Sequence, residues 1–328
     1  MAGHHGPGPT GRAVAAVVLA VSVAAGGGDA PTRAGDGCAL GRGALTVDDL
    51  PAGSSVLDCA AVGRLVTHEG AGVTVPEPGT KVTVDALSVD GSRHGFTVEV
   101  AADGRISYGR ADAGSEEHTH AAAPAAAARP ACADSAYAVG EHKEYGTYDW
   151  WLGDGPLPGD LSPAAARRAF ESAIGTIIGT RNDCGYGDAV GARAKYHTLT
   201  HREANVDSRA HCTRRDGVSV WDAGDLSGGV VATTCSWSRP VAGGRDWLKE
   251  ADVRFNTGDY TFTDNPTDRC ANAYDIRSVA THEAGHVFGL GHVGSGHEGQ
   301  TMFTNSFACS TAARTLGRGD VLGLRRIY

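Results

Sequence analysis

The chain has 328 residues, a formal net charge of −9 and 20% charged residues. With no block of basic residues, this balance argues against nucleic acid as a partner, because domains that bind it carry a basic face. Apolar content of 41% suits a globular chain long enough for two modest domains, and 47 glycines point to many loops and short strands.

The N-terminus reads as an export signal. Arg12 precedes an apolar run over residues 13–25, broken only by Ser22 and ending in Val23-Ala24-Ala25. The run is short for a membrane span but has the length of a signal core, with small residues where a signal peptidase reads. Residues 1–25 are therefore expected to be a signal peptide, the protein secreted, and no stable membrane insertion left after its removal. Eight cysteines follow, without a C-x-x-C pair. An even count in an exported chain predicts disulfides rather than a thiolate metal site.

Residues 26–110 read as a small β-rich domain. Residues 80–89 alternate well. A second run over 95–101 leads through the Asp103-Gly104 turn into a third over 105–108. Residues 111–131 are an Ala/Pro-rich linker, and His118 and His120 within it read as solvated side chains. The second half spans 132–328. Ser162-Pro163 starts a helix over 163–179, with serine as N-cap and proline in the first turn. Phe170, Ile174, Ile177 and Ile178 form its apolar stripe. Strands are expected over 194–199, 229–237 and 251–256. Asp275 can cap a further helix, and a closing helix capped at or near Asp320 ends the chain.

The helix after Asp275 carries the most informative residues, His282-Glu283-Ala284-Gly285-His286 followed by Gly289 and His292. Histidines four apart share a helix face, so His282 and His286 can hold one metal from the same side. Glu283 can reach a water there as general base. Gly289 can take positive φ, end the helix and let the chain return so that His292 becomes the third ligand. Three protein ligands leave one position for chemistry, the layout of a catalytic zinc site with one Zn2+. Cys270 and Cys309 bracket this motif and are the first expected disulfide; Cys212 and Cys235, across a hairpin, are the second.

With this motif complete, the second half resembles a metzincin metallopeptidase, and within that clan the matrixins, over residues about 140–328. The resemblance implies an α+β fold: a mixed twisted sheet with an active-site helix and a C-terminal helix, here preceded by the small β-rich domain. Thr301-Met302-Phe303 suits the clan's methionine turn, making Met302 an apolar floor under the metal. Residues 250–256 resemble the strand before the active-site helix. The implied activity is zinc-dependent endopeptidase hydrolysis of a protein or peptide substrate, which lies antiparallel to an edge strand, here residues 229–237. The matrixin cysteine latch, in a Pro-Arg-Cys-Gly context, is not matched by Cys38 or Cys59, which are instead expected to pair. The family's structural zinc and Ca2+ sites are implied without assigned ligands. His197, His201 and His211 read as ordinary histidines, His297 as a surface residue, and Asp259, Asp264, Asn265 and Asp268 as a turn. The alternatives are a catalytically silent metzincin-fold binding protein and an exported zinc hydrolase of a non-peptide substrate. The intact Glu283 and histidines speak against the first, and nothing favours the second.

Overall fold

A computed structural model describes residues 38, 40–91, 95–110, 129–227, 229–267 and 269–328. The expected signal peptide, most of the linker with His118 and His120, and Asp268 lie outside the described residues.

The N-terminal strands are β1 Leu45–Thr46, β2 Leu65–His68, β3 Ala71–Thr74, β4 Thr80–Ser88, β5 Phe96–Val100 and β6 Ile106–Arg110. After the linker come β7 Ala138–Val139, β8 His142–Lys143 and β9 Thr147–Gly153, then helix α1 Pro163–Ile178. Strands β10 Arg193–Thr200, β11 Ser219–Gly224, β12 Val230–Arg239 and β13 Asp246–Asn256 follow. The chain ends with β14 Thr261–Thr263, β15 Ala273–Asp275, α2 Ile276–Val287, β16 Leu290–Gly291 and α3 Arg318–Ile327. Helix α1 begins where the Ser162-Pro163 pair predicts: the serine hydroxyl accepts the Ala165 N–H at 3.3 Å. Helix α2 begins at Asp275, whose carboxylate accepts the Ser278 N–H at 2.9 Å. Helix α3 starts earlier than its predicted cap. Gly317 is the N-cap, and Asp320, in the first turn, accepts the Gly317 N–H at 2.8 Å.

One nine-stranded sheet organises the chain, in the order β10-β9-β11-β13-β12-β4-β5-β6, with β8 also on β13. The strands β10, β9, β11 and β13 are parallel, and β12 runs antiparallel to β13. Strands β9 and β11 have no counterpart among the predicted elements. Strand β11 is buried on both faces and lacks the alternation that marks a half-exposed strand, whereas β9 alternates, with Tyr148, Trp150 and Leu152 buried between the more exposed Thr147, Asp149 and Trp151.

The strands expected to form a separate small domain are instead continuous with this sheet, and residues 38–328 form one compact unit. The strand expected to be an edge, β12, is not one. Strand β4 pairs with it antiparallel along its length, from Val230↔Ser88 to Ser238↔Lys81. The physical reason lies in the two faces of β4. Val82, Val84 and Ala86 share an apolar cluster with Val230, Cys235 and Trp237 on one face. Leu87, on the other, belongs to the cluster that includes Val279, Ala280 and Ala284 of α2. These apolar residues gain more by burial between two layers than they would on a half-solvated domain.

Candidate metal centre

Helix α2 lies beneath β12 and presents its polar residues toward the β12–β4 seam. His282, Glu283 and His286 are at most 2% exposed. The chain leaves α2 at Gly289, whose φ of +92° is strained for other residues. A Cβ there would also strike the carbonyl oxygen of His142. The returning segment is pinned by β16 pairing antiparallel with β7 and by the Gly140 N–H donating to the Gly289 carbonyl at 2.8 Å. This turn brings His292 to the other two histidines. The His282, His286 and His292 Nε2 atoms stand 2.9, 3.0 and 3.1 Å from one another.

The opposite ring nitrogens are committed elsewhere. His282 Nδ1 donates to the Thr301 carbonyl at 2.8 Å, and His286 Nδ1 to the Leu290 carbonyl at 3.0 Å. These bonds fix the tautomer that leaves Nε2 as a lone-pair donor. Burial drives the His282 pKa down to about 4. Burial, with the neighbouring histidines, holds His286 well below its usual range. Neutral imidazoles whose lone pairs converge repel one another unless a cation lies among them, and nitrogens this close can all stand about 2.0–2.1 Å from one ion. Among the described residues these three form the one cluster suited to a metal.

Glu283 is the adjacent acid. Its Oε2 accepts the Thr234 hydroxyl at 2.5 Å, while its Oε1 is buried without a hydrogen-bond partner. Burial raises its pKa to about 8; the Thr234 hydroxyl works against that rise and the Asp85 charge adds to it. An unpaired carboxylate oxygen beside three imidazoles fits a base that faces a water on a metal.

Met302 packs against α2 at Gly285 and is 1% exposed. Its Sδ occupies the space a Cβ on Gly285 would need, so the glycine inside the motif makes room for the methionine. The turn carrying Met302 is held from α3: Asp320 accepts the Thr301 N–H at 2.8 Å and the Met302 N–H at 3.2 Å. Cys270 and Cys309 are joined in a disulfide, as are Cys212 with Cys235, Cys132 with Cys184 and Cys38 with Cys59. No cysteine is free.

The remaining sequence candidates are dispersed. His197 pairs with Asp149 at 2.7 Å, His201 with Asp154, and His211 with Asp207 at 3.2 Å. His297 contacts the buried Asp134 at 2.8 Å rather than lying free on the surface. Asp264 is taken up by Arg277 at 2.7 Å, and Asp259 by Asn256 at 3.1 Å. Sequence reasoning missed Thr234, Gly285, Asp320 and Asp85. A glycine in mid-helix was the one available signal, since it costs helix stability without a packing reason.

A mixed sheet over an active-site helix, three convergent histidines and a methionine turn define a metzincin-type catalytic domain. The family model described as Matrixin matches residues 195–328, which supports a matrixin-type catalytic domain, and at family level a zinc metallopeptidase, over that part of the chain. No curated protein matches the chain.

Proposed function

We propose that the protein is a secreted zinc endopeptidase in which Glu283 is the general base. The observation that carries this reading is the unpaired, buried Glu283 Oε1 beside the convergent Nε2 atoms of His282, His286 and His292. Zinc held by those nitrogens would supply Lewis acidity to the scissile carbonyl and to the attacking water. Thr234 holds Glu283 by Oε2 and so aims Oε1. Glu283 takes the water's proton at Oε1 and passes it to the leaving amine. Met302 and Gly285 keep the floor apolar and tight, so the imidazoles stay in place without competing donors.

Secretion is supported by the disulfides, which persist in oxidising compartments. No helix among the described residues is long and apolar enough to cross a membrane. The substrate is a protein or peptide chain. The N-terminal segment, residues 26–110, is either a pro-region separated at the linker 111–131 or a retained binding module; the N-terminal sequence of the secreted, active protein distinguishes them, a start near Cys132 supporting the first and a start near Gly26 the second.

The test compares processed parent and Glu283→Gln on casein and an internally quenched peptide, with zinc measured in both. Cleavage by the parent alone, at equal zinc content, supports the reading. Equal cleavage by both sinks the base assignment. A parent that holds zinc, exposes β12 and cleaves no peptide favours the silent binding protein.

A further inference from the structure

We infer that strand β4 is an internal plug: it lies in the cleft a peptide substrate needs and closes the metal centre by occupying the β12 edge, without supplying a metal ligand. This rests on the peptidase reading above.

Four observations converge. First, an extended peptide is bound by adding a strand to an open sheet edge, and the β12 edge is fully used by β4. Second, β4 threads between two walls. As it leaves β12, Val89 N–H donates to Gly229 O at 3.1 Å on one side. Ser306 N–H donates to Ser88 O at 3.2 Å on the other. The second wall is the loop after Met302, so β4 crosses directly over the site. Leu87 lines one hollow together with Ser278, His282 and Phe303, and it packs in the cluster that includes Val279 and Ala280 of α2. Third, the covered surface is chemically wrong for a permanent core. Ser88 Oγ, Ser236 Oγ, Glu283 Oε1 and Asn305 Oδ1 are buried without a hydrogen-bond partner. Each such group costs stability when dry, whereas a wet substrate cleft would satisfy it. Fourth, Asp85 sits opposite Thr234 and reaches within 3.8 Å of His286 Nδ1, the side away from the converging Nε2 atoms. It is not part of the metal-ligating cluster. Closure is therefore by strand occupancy, with an acid set beside the base and no ligand added to the metal.

The plug is held at one end by Lys81. Its ammonium meets Glu99 at 3.2 Å, Asp246 at 2.9 Å and Glu141, the last two from the other side of the linker. At the other end it is held by Leu87. Neither contact is covalent, so separation at the linker alone leaves β4 in place until the seam opens. This also accounts for silence without a cysteine latch, since Cys38 and Cys59 are bonded to each other.

The experiment uses the full-length, zinc-loaded chain. Hydrogen exchange is followed at residues 231–237, alongside hydrolysis of an internally quenched peptide and zinc content, in the parent and in Lys81→Ala and Leu87→Ser. The expected parent protects these amides and cleaves at background. Both variants should raise exchange and hydrolysis at least tenfold with zinc retained. A parent whose 231–237 amides exchange like an exposed edge overturns the inference, and this reading needs no variant to fold. So does a parent that cleaves as fast as the opened variants. If the variants open β12, keep zinc and still cleave nothing, β4's occupancy stands on the exchange data and the peptidase reading is what fails.

Discussion

The two ends of the central sheet are built on opposite principles. At one end, β10, β9, β11 and β13 are parallel and joined through crossovers, with α1 and α2 packed on one face. Parallel strands need long connections, and their helices tie each strand to several others. At the other end, β4, β5 and β6 form a simple antiparallel meander attached to the rest through the β4–β12 pairing. Beside the first end lie the three convergent histidines, and His282 and His286 are each held by a carbonyl from outside their helix, Thr301 and Leu290. The second is joined along a seam with a stripe of polar side chains, among them Thr83, Asp85, Thr234 and Ser236. One end carries the histidine cluster, and the other covers it through the β4–β12 pairing.

This contrast can be broken or sharpened in several ways. The largest effect is expected for Glu283→Gln, which should lower kcat/KM of the processed enzyme about 10²–10⁴-fold with zinc content unchanged. It should leave exchange at β12 in the full chain as it was. Next, opening the Cys270–Cys309 disulfide by paired serines should cost about 4 kcal/mol from its 39-residue separation. Opening Cys38–Cys59, with 21, should cost about 3 kcal/mol. Denaturant titration gives both costs. The comparison survives only if the first weakens zinc retention and the second leaves it intact. Gly285→Ala should follow, at about 1–3 kcal/mol, because its Cβ has to displace the Met302 sulfur. Weaker zinc binding in a chelator competition, with the rest of the fold kept, would confirm the site of damage.

The smallest effect is a pH slope. Burial raises the Asp320 pKa to about 6, although the Thr301, Gly317 and Met302 N–H groups pull it back. A folded-state pKa above the unfolded value means stability present at pH below about 3.8 and lost as pH rises through about 6. Asp320→Asn should flatten that slope by about 1–3 kcal/mol in stability curves between pH 4 and 7. A slope unchanged by the substitution would place the titration elsewhere.

Much of the parallel end was legible in residues alone. Periodicity and caps located α1 and α2 because Ser162 and Asp275 satisfy helix N–H groups locally, which needs no tertiary context. Residues 80–89 and 95–101 matched β4 and β5 within a residue or two, since alternation and a hairpin turn are also local signals. Strand β11 was missed because burial on both faces removes alternation, and β9 because its Trp150-Trp151-Leu152 run hides in residue type the alternation its burial shows. The cap of α3 was misplaced because Asp320 turned out to hold the Met302 turn as well as its own helix.

For the metal centre, spacing within eleven residues already named His282, Glu283, His286 and His292, because a helix and one glycine turn suffice to bring them together. The sequence by itself determined the chemistry available. The tertiary structure decided who may use it. That β12 is covered, that Thr234 aims Glu283, and that Asp85 stands beside His286 depend on contacts 49 residues and more apart in the chain. Helical spacing brings residues together at short range, whereas strand pairing joins segments of any separation, and no local pattern records which partner a strand will choose.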